Sequence, residues 1–321
     1  MIQPHRFGEA DELPHSPASD PDWQESVFLH WFDRSAGVGG VHRIGHEVPA
    51  GVAALWCGVF GEDGTRFRRS GAAPLKDDDV RIDGFAAAGG AHRFTFDGGP
   101  RLMVEEDRCR LDLRIEDFYP RTDFLPSEAG SLTEDYAKAH FETSGRITGA
   151  ATLGGRSYEI DGFCHRDHSW GARRWDTLLT HRWVSGTFGP QLSFGSITWH
   201  AVDGSLLKVG YLVRDGEVTY ADDVDVVVHM EPDGLTHRGG EVTWRAAGEE
   251  LLRLQAASVD GVLSVHHDIA CVDTICRVTS PAGAPGHCDL EISTNPRNGR
   301  GPVLLALGAN AEDGLTRRRS R

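Results

Sequence analysis

The sequence predicts an all-β, antiparallel architecture, a barrel or a sandwich, and three observations carry that reading. Asp-Gly pairs punctuate the chain, the runs between them alternate with period two, and a single segment has a helix signature. The pairs lie at 63–64, 83–84, 97–98, 161–162, 203–204, 215–216, 233–234, 260–261 and 313–314. Both residue types tolerate the positive φ of a two-residue hairpin, so each pair is read as a turn. In 109–116, Cys109, Leu111, Leu113 and Ile115 would face one way, and Arg110, Asp112, Arg114 and Glu116 the other. Residues 206–213 and 218–220 flank Asp215-Gly216 as a hairpin, and 262–269 reads as a later strand. The helix signature is the capping box Ser131-Leu132-Thr133-Glu134, which predicts a short helix reaching His140.

Composition excludes several classes of function. The chain has 321 residues, 33 basic and 48 acidic, with a formal charge of −15. Nucleic acids and anionic membrane surfaces need a concentrated basic face, so neither is an expected partner. No run approaches the ~18 apolar residues of a membrane helix, and the N-terminus lacks the pattern of a secretory signal. A cytoplasmic protein is therefore expected. Its six cysteines (57, 109, 164, 271, 276 and 288) contain no Cys-x-x-Cys and read as reduced core thiols. Residues 1–24 read as a loosely held leader and 309–321 as a frayed basic tail.

Chemistry concentrates in 156–188, RSYEIDGFCHRDHSWGARRWDTLLTHRWVSGTF, where His, Trp, Asp and Arg gather inside strand-like sequence. If 165–170 is extended, His165, Asp167 and Ser169 point one way and Arg166, His168 and Trp170 the other. Asp167 and His168 then share a pocket only if the chain bends, and Gly171 offers a bend. His181 and Trp183 form a one-face set on a following strand, which could line the same pocket. An Asp enclosed by Trp would be pushed toward holding a proton near neutral pH, and Trp faces would stabilise a developing cation. The competing reading is a buried polar network in which Asp167 pairs with Arg166 or Arg173 and pins strands together. Earlier, 28–33 and 42–47 read as strands with core aromatics, with His42 or His46 as further candidates to line a cavity. Tyr119 is a candidate pocket hydroxyl. The His spacings suit no metal site, and there is no Gly-x-Ser-x-Gly, Gly-x-Gly-x-x-Gly or P-loop, so neither metal nor cofactor is expected.

Arg166-Asp167-His168-Ser169-Trp170-Gly171 resembles the central motif of the carotenoid 1,2-hydratases (hydroxyneurosporene synthases) and their bacterial relatives. His30-Trp31-Phe32-Asp33, His42-Arg43-Ile44-Gly45-His46-Glu47 and Asp117-Phe118-Tyr119-Pro120 look like one branch of those relatives, over most of 25–270. To the hydratases proper the likeness is confined to the motif and the β pattern. The resemblance implies two tandem lipocalin-like antiparallel β-barrels with one or two short helices, at 25–172 and 173–308, with the motif near their junction. It implies cofactor-independent acid–base chemistry on a small lipophilic substrate: hydration or dehydration, isomerisation or cyclisation of an isoprenoid, steroid or polyketide-like molecule. Asp167 and His168 become the acid–base candidates. Trp170, Arg173, His181, Trp183, His165, Tyr119, His42 and His46 become substrate-binding candidates. Arg173, Arg174 and Arg182 would suit an oxygenated head group. The alternative is a non-catalytic lipocalin-like carrier or sensor. Closed barrels hide their edges and demand no partner chain.

Overall fold

In the computed structural model, the described residues are 7–17, 19–125, 135–231, 237–267, 269–294 and 316–318. The protein is nearly all β, and among the described residues the helical elements of three or more residues are short 3-10 turns such as Glu9–Glu12 and Trp175–Thr177. The expected helix over 131–140 falls partly on 126–134, outside the described residues, and its end is overturned. Ala139 and His140 already belong to a strand, β10, because both are paired to its neighbour. Among the described residues no helix is long and apolar enough to cross a membrane.

The chain divides into two compact units, Met1–Arg174 and Trp175–Arg321. The first comprises β1 (Trp23–Asp33), β2 (Val38–Glu47), β3 (Val52–Gly61), β4 (Arg66–Pro74), β5 (Gly84–Ala87), β6 (His92–Thr95), β7 (Arg101–Glu106), β8 (Cys109–Asp117), β9 (Thr122–Asp123), β10 (Ala139–Leu153) and β11 (Arg156–Ala172). They form one sheet in the order β4-β3-β2-β1-β11-β10-β8-β7-β6-β5, with β9 beside β10. The sheet curls on itself: His46 of β2 bonds the Ala86 carbonyl of β5 at 2.7 Å and its ring contacts Phe85. Val27, Leu29, Trp31, Leu55, Phe85, Phe94, Leu113, Ile147 and Cys164 fill the interior, so the apolar face of each strand supplies one core.

The second unit comprises β12 (Leu178–Thr187), β13 (Leu192–Ala201), β14 (Leu206–Arg214), β15 (Glu217–Ala221), β16 (Asp223–Met230), β17 (His237–Ala246), β18 (Glu249–His266), β19 (Ile269–Thr279), β20 (Pro285–Thr294) and β21 (Thr316–Arg318). Their order is β15-β14-β13-β12-β20-β19-β18-β17-β16-β21. This repeats the first unit's winding. Four strands run out as a meander, the last long strand returns beside the first, and the rest run back. Val184, Phe194, Val226, Trp244 and Leu290 build its separate core.

The alternation in β8 holds, with Cys109, Leu111, Leu113 and Ile115 buried and their intervening neighbours exposed. Asp-Gly turns join β3 to β4, β6 to β7, β13 to β14 and β14 to β15. Pairs 233–234 and 313–314 lie outside the described residues. The expected turns at 161–162 and 260–261 are overturned, because these pairs sit inside β11 and β18. The glycines serve close approach instead. A Cβ on Gly162 would stand 2.6 Å from the Phe32 carbonyl oxygen, and one on Gly261 2.3 Å from that of Asp273. The strand expected over 262–269 is also two, because β18 ends at His266 and His267 turns with φ 49°.

Part of the expected leader is ordered packing. Phe7 joins Trp23, Phe141 and Trp170 in a small apolar cluster, and Glu12 is buried. All six cysteines are buried thiols outside any disulfide.

Candidate active site in the first unit

The site is built on β1, β10 and β11. β11 lies between the other two, with Val27 and Phe141 flanking His168, and Phe28 and Glu142 flanking Asp167. Pairing runs without a break from Arg156 to Trp170 on the β10 side and from Phe163 to Ala172 on the β1 side, so the strand stays pleated through the motif. Asp167 and His168 therefore face opposite sides, and the pocket they would have shared by a bend does not form. Gly171 has φ 133°, but it follows both.

One face turns toward the unit's interior. His168 Nε2 lies 2.9 Å from Glu25 Oε1, and His15 Nδ1 lies 2.7 Å from the same oxygen. The His15 backbone N–H also donates to the Glu25 carboxylate at 3.0 and 3.1 Å. Burial raises the Glu25 carboxyl, but the hydrogen bonds and charges of His15 and His168 outweigh it, so Glu25 stays ionised below the usual range. Aromatic rings surround the array. His15 stacks on Trp170 at 3.9 Å, and Phe85, Phe141, Phe96 and Trp170 contact the His168 ring. His46 pairs across from Glu25, and burial pushes its ring below the usual value against the pull of the Ala86 carbonyl and the Asp79 and Glu25 charges. Beside this array, Arg166 binds Glu12 at 2.6 and 2.9 Å and Asp117 at 2.5 and 3.0 Å. Burial works against its charge, but the two carboxylates outweigh it and hold Arg166 cationic.

The other face carries a second buried array. His165 Nδ1 meets Ser144 Oγ at 2.8 Å, and its Nε2 meets Glu142 Oε2 at 3.1 Å. His140 Nε2 lies 3.6 Å from Glu142 and 3.8 Å from Asp167. Burial pushes His165 down to about 3 despite the Asp167 charge on its own face, so the ring is neutral. Arg173 donates to Ser169 Oγ and to the Tyr136 carbonyl, both at 2.9 Å, and lies over the Tyr136 ring.

The other candidates scatter. His42 accepts from Trp31 Nε1 at 3.1 Å and meets Cys57 Sγ at 3.4 Å. It is a buried ring with both nitrogens met, which burial pushes down to about 3. Tyr119 is buried with its carbonyl bound by Thr143. His181 and Trp183 lie on β12 of the second unit, which pairs with β13 and β20. The arginines expected to meet a head group have protein partners: Arg173 as above, Arg182 on Thr180 Oγ1 at 2.6 Å, and Arg174 near Asp135. Glu25, His15, Glu142 and His140 were missed. A lone Glu amid apolar residues in 23–33 was a signal available for Glu25; nothing local marked His15. His15–Glu25–His168 and His140–Glu142–Asp167 each bring three ligand atoms within 4.8 Å, close enough to hold a cation.

Residues 8–296 match a domain of unknown function, DUF7064. This chain belongs to that family. No curated protein matches the DUF7064 chain by sequence. Its fold is that of several solved structures. A Nitrosomonas europaea protein provisionally described as AttH aligns with a TM-score of 0.63 at 12% identity, covering 89% of this chain and 95% of that one. CghA aligns at 0.60 and 12% identity, covering 94% and 95%. Kievitone hydratase from Nectria haematococca aligns at 0.56 and 8% identity, covering 91% and 93%. The DUF7064 chain is thus nearly all-β, with two tandem lipocalin-like antiparallel sheets, each curled as a half-barrel.

Proposed function

We propose that this DUF7064 protein is an enzyme of hydratase or cyclase type, working without a cofactor on a small lipophilic substrate. The observation that carries the proposal is the His15–Glu25–His168 array inside an aromatic shell. A carboxylate bridging two imidazoles orients both rings and stabilises the imidazolium that donates a proton. His168 is the proton donor, Glu25 its orienting base and His15 the second ring. In a hydration, the His168 proton adds to one carbon of a double bond. Water attacks the resulting cation, and its surplus proton returns to the imidazole. Trp170, Phe85 and Phe141 stabilise the cation through their ring faces. In a cyclisation, an internal double bond replaces the water, and the ring cation so formed loses a proton from an adjacent carbon to the imidazole, which leaves a new double bond. Asp167 belongs to the opposite face and acts there in the network that ties β10 to β11. The hydratase named among the structural neighbours supports the reaction class, and the substrate class stays at a small lipophilic molecule of isoprenoid, steroid or polyketide-like type.

The test begins with organic extraction of the purified protein and mass spectrometry of what co-purifies. That compound and its analogues are then incubated in deuterated water. His168→Gln should lower deuterium incorporation by about 10²–10⁴-fold while leaving the fold intact, and Glu25→Gln should follow it. Asp167→Asn should lower the melting temperature and leave turnover near wild type. Full turnover in His168→Gln would sink the assignment. Full burial of the His168 side chain (0% exposed) favours a second reading, a carrier that encloses its ligand. Tight binding with no isotope exchange in the wild type would establish that reading instead.

A further inference from the structure

We propose that the second unit contains a zinc-binding site formed by His181, Cys271 and Glu291, beside the buried carboxylates Asp273 and Asp289 that also group with Glu291. β20 lies between β12 and β19, and on it Cys288, Leu290 and Ile292 face the apolar core. Asp289, Glu291 and Ser293 therefore face the other side. The register sets Cys271 across from Ser293, and Asp273 follows Cys271 by two residues along β19. From β12, His181 Nε2 meets Glu291 Oε1 at 2.6 Å and its Nδ1 meets Ser293 Oγ at 2.7 Å. All five side chains are buried: His181 6%, Cys271 3%, Asp273 0%, Asp289 2% and Glu291 3% exposed.

The ligand atoms of His181, Cys271 and Glu291 lie within 4.8 Å of one another, and those of Asp273, Asp289 and Glu291 form a second such group sharing Glu291. Three carboxylates crowded together away from water repel, and a proton or a cation must relieve them. The donor set selects the cation. Nitrogen, sulfur and carboxylate oxygen together suit zinc, whereas magnesium and calcium take oxygen alone. A second observation points the same way. Asp289 Oδ1 accepts the Thr274 N–H at 2.8 Å, while its buried Oδ2 has no hydrogen-bond partner. Ser293 on the far nitrogen of His181 is the kind of partner that orients a ligating ring. On binding, zinc displaces the thiol proton of Cys271 into solvent, so affinity rises with pH.

The full-length protein, stripped with chelator and dialysed, is titrated with Zn²⁺ alone and in parallel with Co²⁺. One equivalent of zinc should bind and raise the melting temperature. Cobalt should give a thiolate-to-metal charge-transfer band in the near ultraviolet that zinc abolishes. Cys271→Ser should remove the band, and both it and His181→Gln should weaken zinc binding by at least about 100-fold, since loss of outer-shell partners alone costs 10–100-fold. Cys109→Ser, a buried first-unit thiol outside every such cluster, should change neither. Absence of the band in the wild type overturns the proposal without recourse to any variant. So does a band that persists in Cys271→Ser, or zinc binding indifferent to both second-unit substitutions. Because the readouts are metal binding and absorption, they stand or fall apart from the catalytic reading of the first unit.

Discussion

Asp167 and His168 are neighbours in sequence and belong to different environments. The pleat sends His168 to Glu25 and the aromatic rings, and Asp167 to His140 and Glu142. The alternation was legible from the residues, and so was its consequence that the two share a pocket only if the chain bends. That no bend comes before Gly171 follows from unbroken pairing on both flanks of β11, which local sequence does not encode. Arg166 makes a sharper residue-scale case. It is 1% exposed, with Glu12 and Asp117 on its guanidinium. Removing one partner of a buried ion pair strands the others, so Arg166→Met should cost about 3 kcal/mol. Urea denaturation measures it, and adding Glu12→Gln and Asp117→Asn should restore most of the loss. A loss unchanged by those additions would mean that Arg166 acts through packing instead.

At the scale of elements, hairpins were the most legible feature, because a two-residue turn states its chemistry locally. The exceptions at 161–162 and 260–261 show the limit of that signal. Glycine permits a turn and also permits a neighbouring backbone to come close, and only the partner strand decides which. Gly171 combines both demands. Its φ of 133° disfavours any side chain, and a Cβ there would stand 2.4 Å from the Lys138 backbone nitrogen. Gly171→Ala should therefore destabilise the first unit by more than about 1 kcal/mol. Thermal melts would show it, and a neutral result would mean that β10 and β11 can shift apart there. The N-terminal segment was the least legible element. Phe7, Glu12 and His15 are separated by ordinary leader composition, and each finds its partner on a strand far along the chain.

For the whole molecule, buried histidines set a pH response. Burial holds His42 and His165 down at about 3 and His237 at about 4, against an ordinary 6.5. The folded rings stay neutral while the unfolded chain takes up protons below pH 6.5. Stability is therefore complete above about 6.5 and falls as the pH drops toward 3–4, by up to about 1.4 kcal/mol per ring per pH unit. Glu25 and Glu12, both lowered from 4.5 in the fold, add a further loss once the pH falls below that value. Chemical denaturation at pH 7.5 and 5.5 tests the histidine part. Equal or greater stability at pH 5.5 would mean that these rings are charged in the native state.

The winding of the second unit repeats that of the first, although no repeat is visible in the residues. Many sequences satisfy one pleated pattern, so topology can persist where identity does not. By itself the sequence determined the β class, the direction in which each residue of 165–170 points, and the motif around which the chemistry gathers. These depend on local φ preference and on the two-residue period of a strand. Only the tertiary structure decided that His168, and not Asp167, meets a bridging carboxylate, and that His181 and Trp183 serve a different sheet. Those contacts join residues more than a hundred positions apart, Glu25 to His168 and His181 to Glu291, and strand order alone brings such residues together.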